Sequence, residues 1–457
     1  MPGKTSPARF VVALLASAAF SILAPAVEAD DDLLPAVLEL LKDPDRELRS
    51  LALQQVREGL KGQAVTKALV ELLPTLSAEA QADLLVALGA RGDASARPAL
   101  TDAYDSPSAE VRVAALRAAA TLGEASDVPR LAQGLAASNE LERHAARSTL
   151  ERIQGEGVER AIIAQLEEAD GDLLLGLIEL VVVREATGAV PRLIALVGGP
   201  ADTTSAAAVA ALGHLAGPEH VSDLARLLLA AEEPAAREVL ERNIMFACRR
   251  IEDAGRQAEP LLAVMAQSRE DERLVLLRPL GRIGGPGALK IIEAAVASHI
   301  AERREAGVRA LCNWPDASVA PQLLQLARTA DDRGQRVRAV RALMRVSVLP
   351  DDRSEAQRLA LLEQSLALAE RDDETRLALD RARAVRTVES LRFVLPYLRD
   401  PKFAETACAT LVELAHHRHL RAAHEAEFDK ALDAVISTSK NSQLVARAKR
   451  YRKGQTH

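Results

Sequence analysis

Four of the nine histidines lie close together near the C-terminal end of the sequence. They are His416, His417, His419 and His424. A metal site needs neutral imidazoles that converge on one point. No two of these histidines are spaced four residues apart on one helical face, and two arginines stand among them. We therefore predict a solvated turn between helices with no metal and no other cofactor; a bound transition metal is the alternative.

A second set of residues with chemical potential is an arginine-rich stretch at 333–350, which holds five arginines and no acid. Arg338, Arg341 and Arg345 are spaced i, i+3 and i+7, which places them on one face of a helix. Guanidinium groups on one face can bind carboxylates, phosphates or sulfates. These three residues are therefore candidates for contact with a partner. The alternative is a solvated face whose charge is neutralised by the acids within residues 370–373.

Trp314 is the only tryptophan, and it precedes Pro315 at the end of a helical pattern. An indole at such a position can anchor a partner. The alternative is that it seals a gap where the structure bends.

The three cysteines, Cys248, Cys312 and Cys408, are separated by 64 and 96 residues. These distances are about two and three times a period of 32 residues, which is derived below. Helices in a stack lie about 8–10 Å apart, so thiols two repeats apart are too distant for a disulfide, which needs Cα atoms within about 7 Å. We predict three unpaired, buried thiols; a reactive or intermolecular thiol is the alternative.

The composition indicates what kind of structure must position these residues. The chain of 457 residues is 48% hydrophobic but only 2% aromatic. So few aromatic side chains cannot fill one large core, whereas aliphatic residues and alanine suit thin helical units whose backbones approach closely. The net charge of −7 argues against a nucleic-acid binder of the basic type.

Two independent marks recur with one period. Pro98, Pro129 and Pro191 are separated by 31 and 62 residues, each beside an apolar helical start. An Arg-x-x-Ala pattern recurs at multiples of about 32 residues, beginning at Arg49, Arg112, Arg143, Arg303 and Arg336. Apolar residues within each period follow helical spacing twice, with a short breaker between. The sequence therefore predicts about thirteen antiparallel helical hairpins, which must stack because one hairpin cannot bury its apolar faces alone.

The segments 45–52 (DRELRSLA) and 109–116 (AEVRVAAL) resemble the second helix of HEAT repeats, in the short HEAT-like class also seen in phycobilin lyases. The resemblance covers nearly all of residues 30–457 and implies an all-α fold, an α-α superhelix whose second helices line a concave side. It also implies that acids and arginines near the turn between the two helices form a structural ladder between repeats. Those residues are Asp45, Arg49, Glu110, Arg112, Arg303 and Arg336.

The N-terminus has the pattern of an export signal. Lys4 and Arg9 precede an uncharged apolar run over residues 10–24, and small residues allow cleavage after Ala29. We predict a signal peptide at 1–29 of an exported bacterial protein, and a periplasmic or extracellular location. An uncleaved anchor and a cytoplasmic end are the alternatives.

Residues 437–457 form a basic C-terminal segment in which no acid follows Thr438. We predict a polar cap for the last repeat. The alternative is a contact for an anionic partner or a membrane surface.

These patterns together favour a non-catalytic, monomeric, protein-binding scaffold of the cell envelope. No nucleophile or phosphate-binding motif supports an enzyme, and the few aromatic residues give little to hold a tetrapyrrole. The resemblance implies a protein partner, such as an envelope glycan-processing or redox enzyme, and no nucleic acid. An architectural envelope protein, anchored by its N-terminus or basic tail, and a HEAT-like enzyme or cofactor-handling protein are the alternatives.

Overall fold

The computed structural model describes residues 30–199 and 202–455. Within these ranges the chain forms 27 α-helices and no strand. Residues 1–29, to which the predicted signal peptide belongs, lie outside the described part. The chain divides into two compact units, the first ending at Leu215 and the second beginning at Ala216.

The first unit contains six helical hairpins, in which odd-numbered helices come first and even-numbered helices second. The helices are α1 (Asp30–Leu40), α2 (Arg46–Gln54), α3 (Gln63–Leu72), α4 (Ala78–Arg91), α5 (Pro98–Tyr104), α6 (Ala109–Leu122), α7 (Val128–Leu135), α8 (Glu140–Arg152), α9 (Val158–Glu168), α10 (Gly171–Val183), α11 (Val190–Val197) and α12 (Thr203–Leu215).

The second unit contains seven hairpins built in the same way, with one short extra helix, α25, before the last. The helices are α13 (Val221–Ala230), α14 (Pro234–Arg249), α15 (Glu259–Gln267), α16 (Glu270–Ile283), α17 (Pro286–Val296), α18 (Ala301–Cys312), α19 (Ala320–Thr329), α20 (Arg333–Ser347), α21 (Glu355–Leu366), α22 (Asp372–Ala382), α23 (Val388–Val394), α24 (Ala404–His416), α25 (Arg418–Ala423), α26 (Glu425–Thr438) and α27 (Ser442–Arg452). The prediction of an all-α fold with about thirteen hairpins is confirmed.

The recurring prolines start the first helices, as their spacing predicts. Pro98 is the first residue of α5, and Pro129 and Pro191 are the second residues of α7 and α11. Proline is tolerated there because the first N–H groups of a helix have no intrahelical acceptor. Some second helices begin at a polar cap: the carboxylate of Asp332 accepts the N–H of Gln335 at 2.8 Å at the start of α20.

Within each unit, successive second helices pack directly against one another. Small residues at these contacts let the backbones come close. A methyl group added at Gly89 in α4 would lie 2.9 Å from the Cα atom of Ala118 in α6. The composition predicts this close approach, since alanine and glycine take the place of aromatic residues between thin helical layers.

In several hairpins an arginine joins the turn between the two helices to the next repeat. Arg49 donates from Nη1 to the carbonyls of Asp43 and Pro44 at 3.1 and 3.0 Å, and its Nη2 lies 3.0 Å from Glu79 in the next second helix. Arg112 repeats this arrangement, with the carbonyl of Ser106 at 2.8 Å and Glu142 at 2.6 Å. These arginines satisfy turn carbonyls and link neighbouring hairpins at the same time.

Of the two further predicted ladder arginines, Arg336 fits the predicted register and Arg303 does not. Arg336 donates to the carbonyl of Ala330 at 2.8 Å and to Glu370 at 3.2 Å, as expected of a ladder arginine. In the ninth hairpin, however, the turn carbonyl of Ser298 is bound by Arg304 at 3.0 Å. The predicted Arg303 lies one residue too early, and it pairs with Glu270 of the preceding second helix at 3.3 Å.

The two acids predicted for the ladder, Asp45 and Glu110, do not take part in it. Asp45 is the N-cap of α2, where its carboxylate accepts the N–H of Glu47 at 2.8 Å. Glu110 is exposed in the first turn of α6. Among the described residues neither forms an ion pair, so the acids that complete the ladder are Glu79, Glu142 and Glu370.

The basic C-terminal segment folds into the last hairpin. Tyr451 and Ala448 of α27 are buried, and Arg447 pairs with Glu413 of α24 at 2.7 Å. Arg452 pairs with Asp429 at 2.8 Å. Contact of this segment with an anionic partner or a membrane surface stays the alternative. No helix in the described part of the chain is long and apolar enough to cross a bilayer.

Candidate binding groove in the second unit

Four second helices of the second unit, α14, α16, α18 and α20, lie side by side and form two adjoining clefts. The larger, which we call the mixed cleft, has a volume of about 810 Å³ and lies across α14, α16 and α18. The smaller, the arginine cleft, has a volume of about 440 Å³ and lies across α16, α18 and α20. Both are lined by Arg278 and Arg309, so the two clefts form one continuous groove.

The arginine cleft is lined by five arginines and by no acid. Its lining residues are Arg278, Arg309, Cys312, Asn313, Arg338, Arg341, Ala342 and Arg345. The structure therefore brings the three arginines predicted from their helical spacing together with Arg278 and Arg309, which come from the two preceding repeats. Those two were missed, although a signal was present: Arg278, Arg309 and Arg341 are separated by 31 and 32 residues, one repeat each.

Arg338 and Arg309 share a single carboxylate. Arg338 donates from Nη2 to both oxygens of Glu305 at 2.7 and 2.8 Å, and Arg309 donates from Nε at 2.7 Å. Partial burial disfavours the ionised carboxylate, but the hydrogen bonds from Arg309 and Gln335 and the charge of Arg338 outweigh it and hold the pKa of Glu305 below its ordinary value. One anion thus fixes two guanidinium groups, and the Nε atom of Arg338 is buried without a hydrogen-bond acceptor.

Arg341 and Arg278 are also paired with acids that do not line the arginine cleft. Arg341 donates from Nη2 to Asp373 and its Nε lies 3.8 Å from Glu374. Arg278 pairs through Nε with Glu241 at 3.2 Å. Burial of Glu241 raises the pKa of its carboxyl, against the opposing charge of Arg278. The alternative expectation of acidic neighbours for the arginines is therefore met, but these acids lie outside the lining of the arginine cleft.

Arg345 binds main-chain carbonyls and not an acid. It donates from Nη2 to the main-chain carbonyls of Cys312 and Trp314 at 3.2 and 2.6 Å, at the end of α18. Burial lowers the pKa of this guanidinium. Arg184 makes the same kind of contact in the first unit, where it donates to the carbonyl of Leu150 at 2.7 Å. Such arginines satisfy the last carbonyls of the preceding second helix, which lack intrahelical donors.

Trp314 is not a surface anchor in this structure. Its side chain is 1% exposed, and Nε1 donates to the hydroxyl of Ser318 at 3.0 Å. The interpretation that the indole fills a gap between repeats fits this position, and the prediction that it contacts a partner does not.

The mixed cleft combines an apolar floor with charged walls. Ile300 is 61% exposed, and it lines this cleft together with Leu274 and Val275. Acids line the same cleft, among them Glu270 and Glu302. The mixed cleft thus combines apolar, acidic and basic side chains, whereas the charged residues of the arginine cleft are all basic.

The other residues with reactive side chains do not form a site with these arginines. Burial raises the pKa of Cys312 to about 12, so the thiol at the wall of the arginine cleft is protonated at neutral pH. His416 shares a hydrogen bond with the hydroxyl of Tyr451 at 2.9 Å. In the residues described, no group of three or more His, Cys, Asp or Glu side chains is arranged to hold a metal ion. The predicted lack of a metal or cofactor stays a prediction.

Comparison with solved structures yields matches of low identity. The karyopherin Kap121p, bound to the extreme C-terminus of the protein phosphatase Cdc14p, matches with 12% identity and a TM-score of 0.47, over 99% of this chain and 57% of that chain. Yeast importin-beta (Kap95p) matches with 14% identity and a TM-score of 0.36, over 93% of this chain and 68% of that chain. The chain therefore spans little more than half of the Kap121p chain.

The family comparison bears directly on the repeat. No curated protein sequence matches the chain. Residues 66–151 match the family model described as HEAT repeats. This segment runs from α3 to α8, where the hairpins, the starting proline and the ladder arginine Arg112 all follow the period read from the sequence. The match shows that residues 66–151 are similar to HEAT repeats.

Proposed function

We propose that this chain is a non-catalytic protein-binding scaffold whose second unit holds a partner in the groove formed by the mixed cleft and the arginine cleft. The observation that supports this proposal most strongly is the pairing of an exposed apolar floor with five converging arginines along four successive second helices. Exposed apolar surface bounded by charge is typical of protein-binding sites.

The dimensions of the groove suit an extended segment of polypeptide. Adjacent helices pack about 8–10 Å apart, so four helices present a surface roughly 24–30 Å long. An extended chain spans about 3.3–3.6 Å per residue, so roughly seven to nine residues cover it. The open groove is therefore better suited to a peptide segment than to a small substrate that must be enclosed.

The chemistry of the lining supports binding in preference to catalysis. The one thiol in the arginine cleft, Cys312, has a raised pKa, and a protonated thiol is a poor nucleophile. The arginines are held in place by Glu241, Glu305 and Asp373. Guanidinium groups positioned in this way bind anions but do not transfer protons at neutral pH.

A role in the cell envelope is the finer part of the proposal, and it rests on the export pattern at residues 1–29. An exported scaffold would meet an envelope partner, for example a glycan-processing or redox enzyme. N-terminal sequencing of the protein from its native host tests this part: we expect the chain to begin at Asp30. A chain that begins at Met1 would contradict cleavage.

Site-specific photo-crosslinking in the producing cells tests the binding groove. A photoreactive amino acid replaces Ile300 or Arg309 in the groove, and Gln325 on the first helix α19 serves as the matched exposed control. We expect one discrete protein adduct from both groove positions and none from residue 325. Adducts of equal yield from all three positions, or none from the groove, would contradict the proposal.

A further inference from the structure

We propose that the arginine cleft selects a carboxylate-rich segment of the partner, with an apolar side chain of the same segment lying on Ile300 in the mixed cleft. This inference rests on the proposed function and adds the chemistry by which the partner is chosen. It depends on the donors that the groove leaves open, on their spacing and on the charge of the surrounding surface.

We call Arg278, Arg309 and Arg341 the rim arginines. In each of them, some guanidinium nitrogens pair with an acid and others have no acceptor among the described residues. Arg309 pairs with Glu305 through Nε, and Arg278 pairs with Glu241 through Nε. Among the described residues, the terminal nitrogens of these two arginines have no acceptor. The acids hold the guanidinium planes in place while the outer donors stay free, which lowers the ordering cost of binding.

The open donors form a row with the spacing of the repeat. Arg278, Arg309 and Arg341 occupy equivalent positions in α16, α18 and α20, so neighbours in the row are about one helix spacing, 8–10 Å, apart. Along an extended strand, side chains two residues apart lie on one face and are separated by about 7 Å. In a polyproline II segment, side chains three residues apart lie on one face and are separated by about 9 Å. Acidic residues at every second or third position therefore match the row.

The surroundings disfavour a long polyanion such as a nucleic acid or a sulfated glycan. Beyond the shared Arg278 and Arg309, the mixed cleft is lined by five acids and by two arginines, Arg237 and Arg303. An anion that continues past Arg309 therefore meets a lining of net negative charge. The exposed Ile300 of this cleft also offers nothing to a sugar–phosphate chain. A peptide that changes from apolar to acidic along its length is complementary to both clefts.

Peptide display on the purified full-length chain tests this inference. We expect selected peptides to carry Asp or Glu at spacings of two or three residues, next to an apolar residue. Their affinity is then measured by fluorescence anisotropy against the chain with Arg278→Gln, Arg309→Gln and Arg341→Gln combined. Loss of three charge-assisted contacts should weaken binding by at least about tenfold.

A matched control removes the same number of charges elsewhere in the second unit. Arg226→Gln, Arg256→Gln and Arg328→Gln combined replace exposed arginines outside the groove, and this variant should bind the peptides as the unaltered chain does. Circular dichroism and thermal melting of both variants show whether they fold. Replacing the acids of a selected peptide by Gln should also weaken its binding by about tenfold or more.

Three results would overturn the inference: selected peptides without enriched acids, no selected peptide, or equal weakening by the groove and control variants. Tighter binding of a heparin-like polyanion, lost in the groove variant, would replace the acidic peptide by a polyanionic ligand. A specific crosslink from Ile300 combined with any of these results would leave the scaffold proposal standing and remove only the acidic segment.

Discussion

Arg345 donates a hydrogen bond of 2.6 Å to the main-chain carbonyl of Trp314. Both residues are candidate partner contacts in the sequence, and in the structure they contact each other. The carbonyl lies just after α18, where helix ends leave acceptors without intrahelical donors. A guanidinium from the next second helix satisfies it, and so ties two successive repeats together.

This contact predicts that Arg345→Met destabilises the second unit. The variant keeps an apolar side chain of similar length but leaves the carbonyls of Cys312 and Trp314 without their donor. An unsatisfied buried acceptor costs about 1–3 kcal/mol. Urea unfolding followed by the fluorescence of Trp314, the only tryptophan, measures the change in free energy of unfolding.

Arg328→Met is the control for this experiment because Arg328 is exposed on the first helix α19. We expect this variant to change the free energy of unfolding by less than about 0.5 kcal/mol. Equal unfolding midpoints for Arg345→Met and the unaltered chain would show that the carbonyls are satisfied by water.

The fold was predictable because two marks with different physical origins share one period. Proline at the first turn and the arginine of Arg-x-x-Ala both depend on the local backbone geometry of one hairpin. They therefore recur with the period of the hairpin. The position of the ladder arginine in the ninth hairpin was harder to predict. The Arg-x-x-Ala pattern selects Arg303, because the ladder arginine Arg304 is followed three residues later by Gly307 and not by alanine. A glycine serves there because an added methyl group would lie 2.7 Å from the backbone nitrogen of Val296.

The groove was only partly predictable. Arg341 and Arg345 lie four residues apart on one helical face, yet only Arg341 has its guanidinium at an acid near the surface, while Arg345 binds carbonyls of the preceding repeat. An amphipathic face is about 100° wide. The spacing of arginines in the sequence therefore does not tell which of them stays near the surface of a cleft and which binds the preceding repeat. That difference depends on how each second helix is rotated against its neighbours.

The contact between α16 and α18 predicts a strong effect of a small substitution. A methyl group at Gly281 would lie 2.2 Å from the carbonyl oxygen of Ala310. Gly281→Ala must therefore push the two backbones apart, and we expect a loss of about 1–3 kcal/mol in the free energy of unfolding. Chemical denaturation measures it.

Gly176→Ala is the matched control for Gly281→Ala. Gly176 also lies within a second helix, α10, but an added methyl group would meet only Leu135, at 3.7 Å. Because alanine favours a helix by about 1 kcal/mol over glycine, we expect this variant to be as stable as the unaltered chain or more stable. If Gly281→Ala behaved in the same way, the close approach of α16 and α18 would be wrong.

The last hairpin should loosen in acid. The hydrogen bond from Arg447, supported by the charge of this arginine, holds the pKa of Glu413 below its ordinary value of 4.5. Because the pKa is lowered on folding, the stabilisation is fully present above pH 4.5 and is lost as the pH falls through the lower value of the folded state. Hydrogen exchange should therefore show reduced protection of α27 below pH 4.5.

Glu413→Gln isolates the contribution of this carboxyl to the acid effect. Asp429 and Asp433, which pair with Arg452, remain in both proteins. We expect the variant to protect α27 less at neutral pH and to lose less protection on acidification. The same pH profile in both proteins would assign the effect to the other acids.

The three thiols give a readout that connects the fold to the groove. Burial raises the pKa of Cys248 and Cys312 to about 12 and that of Cys408 to about 11. Since the thiolate is the reactive form, a thiol reagent at neutral pH should label the native chain slowly. Unfolding without a reductant should release three thiols per chain, and a smaller number would reveal a disulfide.

Cys312 should be the first thiol to react in the native chain, because it is half-buried at the wall of the arginine cleft whereas Cys248 and Cys408 are buried. Cys312→Ser should remove this first phase and leave the other two unchanged. An acidic peptide seated in the cleft covers Cys312 and should slow its labelling alone. Slowing of all three thiols would indicate general stabilisation of the fold, and no slowing would place the peptide outside the cleft.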